Sequence, residues 1–164
     1  MRYGQIREFD VANGEGIRST IFVTGCTHNC YGCFNALYQN FNYGDIWTDK
    51  ETDKIIKYLQ NPVVEGLTIL GGEPFQNEIE LLKVVRKIKK NVNKSIWIYS
   101  GYTYEEILKD ENKFKLLKEC DVLIDGKFIL SLKNFKLKFR GSSNQRIIDI
   151  KKTLEKGEVI LYME

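Results

Sequence analysis

The stretch Cys26-Thr-His-Asn-Cys-Tyr-Gly-Cys33 carries three of the chain's four cysteines within eight residues. It follows directly after Ser19 to Gly25, a run of β-branched and apolar residues that ends in glycine and predicts a buried strand. Thiolates are ligands for soft metals, so three of them in one loop predict a zinc or an iron–sulfur site. The loop therefore links a predicted strand directly to a predicted metal centre.

Two kinds of centre are compatible with these thiolates. A structural zinc site needs four ligands, and His28, the chain's only histidine, lies inside the same loop and is one candidate. A 4Fe-4S cluster also takes four thiolates, so Cys26, Cys30 and Cys33 would leave one iron open. Cys120 is a distant fourth candidate, but its apolar setting "LLKECDVLID" favours a buried, inert thiol. We expect the cluster with one open iron and keep zinc as the alternative.

Length and composition predict one domain over residues 1–164. The net charge of +3 is too small to indicate nucleic acid or an anionic membrane as a partner. No apolar run approaches the roughly 20 residues of a membrane span, and "MRYGQIREFD" lacks the apolar core of a signal peptide. We expect a cytoplasmic protein in a reducing compartment, where clustered cysteines bind metal more often than they form disulfides.

Three further segments predict strands like the first, namely Gly66 to Gly72, Ser95 to Gly101 and Asp121 to Gly126. Helical patterns separate them. Thr48-Asp-Lys-Glu51 and Thr103-Tyr-Glu-Glu106 match the capping box that opens a helix. An apolar stripe predicts another helix, formed by Leu81, Val84, Val85 and Ile88. Alternating strands and helices predict an α/β fold with parallel strands, followed by extended C-terminal segments in "KNFKLKFRG" and "VILY".

The loops after these strands hold the unusual residues, as expected for the carboxyl ends of parallel strands. Gly71-Gly72-Glu73-Pro74 follows the second predicted strand. Paired glycines allow a ligand to approach the backbone, and Glu73 can accept hydrogen bonds from an ammonium group. A glycine turn with a helix-capping carboxylate is the alternative interpretation.

The spacing Cys26-x3-Cys30-x2-Cys33, with Tyr31 two residues before the last cysteine, resembles the signature of the radical S-adenosylmethionine enzymes. The resemblance implies an open, partial (β/α) barrel. It also implies that S-adenosylmethionine binds the open iron and is cleaved to a 5′-deoxyadenosyl radical, with no catalytic side chain required. "GGE" resembles the motif that holds the methionine amino group in that family, formed here by Gly71, Gly72 and Glu73.

Other contacts with the cosubstrate follow from the same resemblance. It implies that Gly32 and Phe34 flank the cosubstrate and that Tyr31 lies beside the adenine. Ser100, Asp125 and Lys127, in "SGYTY" and "DGKF", are candidates for the ribose hydroxyls or the methionine carboxylate. A helix cap and a turn are the respective alternatives.

Several segments in order, "NGEGIR", "CTHNCYGCFN", "SGYTYEE", "DVLIDGKF" and "FRGSSNQRIID", resemble the family of activating enzymes of anaerobic (class III) ribonucleotide reductases. That resemblance implies a partner, the glycyl-radical subunit of the anaerobic ribonucleoside-triphosphate reductase, and an electron donor, flavodoxin. Activation of another glycyl-radical enzyme, chemistry on a free metabolite, and a non-catalytic zinc module remain alternatives.

The segment from Lys127 to Arg146 contains six basic residues and no acidic ones. Phe135, Leu137 and Phe139 alternate with basic residues, which predicts a half-buried edge strand with a solvated outer face. A docking surface for the reductase is the alternative. Nucleic-acid binding is disfavoured, because no nucleic-acid motif accompanies the local charge.

Overall fold

Eight strands form a single sheet in the computed structural model, which describes residues 1–164. The strands are β1 (Arg2–Asp10), β2 (Arg18–Val23), β3 (Asp45–Ile46), β4 (Gly66–Gly71), β5 (Ser95–Tyr99), β6 (Val122–Asp125), β7 (Arg146–Asp149) and β8 (Leu161–Met163). The helices are α1 (Asp49–Leu59), α2 (Glu78–Asn91), α3 (Tyr104–Leu108), α4 (Glu111–Lys118) and α5 (Ile150–Lys156).

The strand order is β3-β1-β2-β4-β5-β6-β7-β8, and β3 and β8 are the free edges of an open sheet. The four middle strands, β2, β4, β5 and β6, run parallel to one another. These are the four strands that the sequence predicts, so the parallel α/β prediction is confirmed. The outer strands pair antiparallel on both sides, and the N-terminal pair β1 and β3 was not predicted.

Successive side chains of each middle strand point to opposite faces of the sheet. We call one the helix face, where the helices bury the main core; its strand residues include Ile21, Val23, Leu67, Ile69, Ile96, Ile98, Leu123 and Ile148. We call the other the open face; its residues include Phe22, Leu70, Trp97, Tyr99, Ile124 and Ile147. Cys120 is fully buried on the helix face.

The helix predictions are confirmed in type and start. Thr48 and Glu51 form a complete capping box at the start of α1, and the predicted apolar stripe is the buried side of α2. The Thr103 side chain accepts a hydrogen bond from the Glu106 amide and begins α3. That helix is only five residues long, because a new helix, α4, starts at the Asp110 cap.

No helix combines the length and the apolar character needed to cross a membrane.

The prediction of a strand in "KNFKLKFRG" is wrong. Residues 127–145, which we call the covering loop, contain turns and one short 3-10 helix and lie against the open face. Phe139 has a positive φ of 61°, which a strand does not tolerate. Its carbonyl accepts a hydrogen bond from Tyr99 Oη at 2.6 Å, and its ring meets Trp97 edge-on. These contacts with the sheet override the alternating pattern. "VILY" contributes only its end to β8.

Candidate functional site

A cleft of about 570 Å³ lies on the open face at the carboxyl ends of the parallel strands. One wall is the cysteine loop, with Cys26, Cys30 and Cys33, and the opposite wall is the covering loop. Between them the cleft is lined by the ends of β4 and β5, including Gly71, Gly72, Glu73, Ser100 and Gly101. The loops that the sequence places at strand ends therefore meet around one cavity.

The cysteine loop is fixed at both ends by backbone contacts. The Gly25 and Cys26 amides donate to the carbonyls of Tyr38 and Gln39, at 2.8 and 3.0 Å. Within the loop, the Cys33 amide donates to the Cys30 carbonyl at 3.1 Å and closes a turn. Asn35 Nδ2 then donates to the Gly71 carbonyl at 3.3 Å. The three thiols are therefore held on the cleft wall beside the end of β4.

Burial changes the acidity of two of these thiols. It raises the pKa of Cys26 to about 11, against a smaller opposite effect of the His28 backbone amide. The pKa of Cys30 is also raised, first by burial and then by the Cys33 charge, while the Phe128 amide and Lys127 oppose the shift. Without a metal these thiols are protonated at neutral pH, so ligation must release protons.

The donor set fits an iron–sulfur cluster better than a single zinc ion. The structure contains no group of three or more His, Cys, Asp or Glu side chains that could hold one metal ion. The thiolates of a cubane cluster bind different irons, so they need not converge on one point. His28 is not grouped with the cysteines around a common point, and its Nε2 lies 2.7 Å from Glu73 Oε1. Cys120 lies on the other face, where its Sγ contacts the Leu116 carbonyl.

Glu73 is the most heavily hydrogen-bonded side chain of the cleft. It is 1% exposed, and its Oε1 accepts from His28 and from the Gly101 amide, both at 2.7 Å. Its Oε2 accepts from the Phe75 amide at 2.9 Å and from Ser100 Oγ at 3.0 Å. A buried carboxylate is tolerated only when its acceptor sites are filled in this way. The network therefore fixes the position of a negative charge on the cleft wall.

The two glycines before Glu73 allow the end of β4 to touch the cysteine loop. Gly71 has φ +114°, and a Cβ there would lie 2.3 Å from the Val23 carbonyl. A Cβ on Gly72 would lie 2.7 Å from the Gly25 carbonyl, which accepts the Glu73 amide at 2.8 Å. The close backbone approach expected from "GGE" is thus made by the end of β2 and by Gly25, directly before Cys26.

Four of the residues expected to contact a cosubstrate, Tyr31, Gly32, Asp125 and Lys127, do not line the cleft. Tyr31 is 84% exposed, and Lys127 is exposed beside Cys30 without lining the cavity. Asp125 is buried, and its oxygens accept from Arg146 and from the Tyr104 amide. Phe34 does line the cleft, and Gly32 faces Leu130 of the covering loop. Of the candidates on the third and fourth strand ends, only Ser100 faces the cavity.

Two arginines of the cleft were not predicted. Arg7 lies on β1 and covers the Phe22 ring with its guanidinium at 4.8 Å. Arg140 donates from Nη1 to the Gln145 carbonyl at 2.8 Å, while its Nε is buried without a partner. "FRGSSNQRIID" was the signal that could have indicated Arg140. Arg7 carried no signal, because the strand that positions it was not predicted.

Comparison with known families also indicates a 4Fe-4S cluster domain. The profile of the 4Fe-4S single cluster domain family matches residues 12–148, most of the chain. The match includes all three cysteines of the loop, Glu73 and the whole covering loop.

Full-length relatives are also similar. The anaerobic ribonucleoside-triphosphate reductase-activating protein of Haemophilus influenzae is 41% identical over 152 residues, covering 90% of this chain and 97% of that protein. The protein of the same name from Vibrio cholerae is 40% identical with the same coverage. That of Enterobacteria phage T4 is 38% identical over 150 residues, covering 90% of this chain and 93% of that protein. The similarity therefore extends across nearly the whole length of each chain.

Proposed function

The chain belongs to the family of anaerobic ribonucleoside-triphosphate reductase-activating proteins and carries a 4Fe-4S single cluster domain, and from this premise we propose that it is a radical S-adenosylmethionine enzyme that activates that reductase. One observation carries the proposal: three partly buried thiols line one wall of a cleft that contains no other cysteine. Three ligands leave a 4Fe-4S cluster with one open iron, as a site for a cosubstrate requires.

Cys26, Cys30 and Cys33 would hold the cluster against the end of β4. When bound and reduced, the cluster would supply one electron to S-adenosylmethionine, yielding methionine and the 5′-deoxyadenosyl radical that takes a hydrogen atom from a reductase glycine. The hydrogen bonds from the Gly25 and Cys26 amides to the carbonyls of Tyr38 and Gln39 anchor the loop. The chain thus orients the cluster and needs no acid or base of its own.

Glu73 supplies a fixed negative charge next to the cluster ligands. In this proposal it attracts the ammonium group of the methionyl moiety, and Gly71 and Gly72 supply the adjoining backbone. His28 and Ser100 hold the carboxylate by hydrogen bonds, so their role is to position Glu73. Phe34 and Gly32 flank the cosubstrate from the cysteine loop.

The open side of the cleft favours a polypeptide substrate over a free metabolite. A radical that attacks a small molecule is best enclosed to prevent side reactions, whereas a glycine within a protein has to enter as part of a loop. The sheet ends at β3 and β8 without closing, so no closed ring of strands surrounds the cleft. Flavodoxin is the electron donor in this proposal.

Transfer of a labelled hydrogen tests the function directly. Reductase deuterated at glycine is incubated anaerobically with the reconstituted protein, a reductant and S-adenosylmethionine. We expect a glycyl-radical EPR signal on the reductase and deuterium in 5′-deoxyadenosine. Cleavage of S-adenosylmethionine without deuterium transfer would contradict the reductase as substrate. The same assay with pyruvate formate-lyase would then test the nearest alternative.

A further inference from the structure

The outer mouth of the cleft is both apolar and basic. Phe34, directly after Cys33, is 59% exposed, and Phe135 of the covering loop is 86% exposed. Lys133 Nζ lies 5.1 Å from the Phe34 ring centroid and 4.4 Å from that of Phe135. Leu130, also exposed, lies against Gly32. We call Phe34, Leu130, Lys133 and Phe135 the mouth patch, because the cysteine loop and the covering loop form it together.

The positive charge around this patch has no counterpart on the chain. Four lysines of the covering loop are exposed and form no salt bridge: Lys127, Lys133, Lys136 and Lys138. Arg146, just beyond the loop, is by contrast paired with Glu105 and Asp125. With no acidic residue between 127 and 146, the lysines produce a local positive potential. Such a potential attracts an acidic partner and accelerates its association.

The covering loop is held by its own hydrogen bonds, so the patch is prepared before any partner arrives. Gln145 Oε1 accepts from the Gly141 and Ser142 amides, at 2.9 and 3.1 Å. Ser142 Oγ accepts from the Ile129 amide at 3.1 Å, and Tyr99 fixes the Phe139 carbonyl. A surface that is already ordered loses less entropy on binding, and exposed aromatic rings are frequent hot spots of interfaces.

We propose that the mouth patch and the lysines around it form the docking surface for an acidic segment of the reductase that also carries apolar side chains. Phe135 packs against the apolar side chains of that segment, and Lys136 and Lys138 face its acidic side chains. Phe34 links this surface to Cys33, so docking brings the partner segment to the entrance of the cleft. The proposal rests on the proposed function, since it names the surface through which the reductase is recognised.

Binding of the full-length reconstituted protein to the purified reductase tests the proposal. We expect Phe135→Ser to raise the dissociation constant by about tenfold or more, at low and at high salt alike. The double variant Lys136→Glu/Lys138→Glu should raise it by a similar factor at low salt and by less at high salt, because salt screens exposed charges. Neither lysine lines the cleft, so the double variant should cleave S-adenosylmethionine at the normal rate without the reductase.

Matched variants on other surfaces serve as controls. Phe9 is 52% exposed on β1, and Lys54 and Lys57 are exposed on α1 without ion pairs. We expect Phe9→Ser and Lys54→Glu/Lys57→Glu to leave binding unchanged.

Covering-loop variants that bind as tightly as the wild type would overturn the docking surface while the function stands. A wild type that cleaves S-adenosylmethionine but does not bind the reductase would overturn both. Lysine-dependent binding of a DNA oligonucleotide, with reductase binding unaffected, would assign the surface to nucleic acid and overturn the docking proposal.

Discussion

The two faces of the sheet are built from the same strands and perform different tasks. On the helix face, Ile21, Ile69 and Ile98 are completely buried under the helices. On the open face, Phe22, Leu70 and Tyr99 line a cleft. Cysteine follows the same division, because Cys120 is fully buried on the helix face while three partly exposed cysteines border the cleft. One face therefore supplies stability and the other is left available for cofactor and partner.

The largest expected difference between the faces concerns the cysteines. Replacing Cys26, Cys30 or Cys33 by Ser should abolish the 4Fe-4S cluster after reconstitution, because only three thiolates are available to hold it. Cys120→Ser should retain full iron and sulfide content. Iron and sulfide analysis with the visible spectrum measures both. Loss of the cluster in the Cys120 variant would contradict this division, because it would make Cys120 a cluster ligand.

The helix face should dominate the free energy of unfolding. Ile98→Ala removes a completely buried side chain from the main core, and such truncations cost about 2–5 kcal/mol. Denaturant unfolding of the cluster-free protein measures the change. Ile79→Ala on exposed α2 surface is the matched control and should change stability by less than about 0.5 kcal/mol. Equal effects of the two variants would contradict the assignment of the core.

Glu73 should govern cosubstrate affinity. Glu73→Gln removes the negative charge that the cleft holds in place, and with it the electrostatic attraction for the ammonium group of the cosubstrate. We expect the affinity for S-adenosylmethionine, followed by EPR titration, to fall about tenfold or more, with the cluster retained. Glu65→Gln, at an exposed position near the amino end of β4, is the control. An unchanged affinity in the Glu73 variant would remove the carboxylate from the binding site.

The smallest expected effect is on the covering loop. Tyr99→Phe removes the hydrogen bond to the Phe139 carbonyl, which should cost about 1 kcal/mol. Amide hydrogen exchange should become faster in residues 127–145 and stay unchanged in α2. If amide exchange in residues 127–145 were equally fast in the variant and in the wild type, Tyr99 would not hold the loop.

Elements that are determined by residues close in sequence could be predicted, whereas those determined by distant contacts could not. The apolar runs ending in glycine and the Thr48–Glu51 capping box are local signals, and they predict the middle strands and α1 correctly. Phe139 could not be predicted in this way. Its backbone has a positive φ, and it contacts Trp97 and Tyr99, which are distant in sequence. The alternating pattern around it therefore predicted a strand that is absent.

The same distinction applies to the site. The spacing of the cysteines and the glycines of "GGE" are visible in the sequence, and their loops do meet around one cleft. The His28–Glu73 contact joins residues 45 positions apart, and Arg7 reaches the cleft from an unpredicted strand. Such contacts form only when the sheet is assembled. The sequence therefore indicated candidate site residues but not which residues they contact.

EPR of the reduced, anaerobically reconstituted protein with and without S-adenosylmethionine tests the central claim most directly. Three thiolate ligands predict a 4Fe-4S signal that changes when the cosubstrate is added, because the cosubstrate reaches the open iron. The Cys120→Ser protein should give the same change. No cluster, or a cluster signal that is indifferent to the cosubstrate, would contradict an open iron in this cleft.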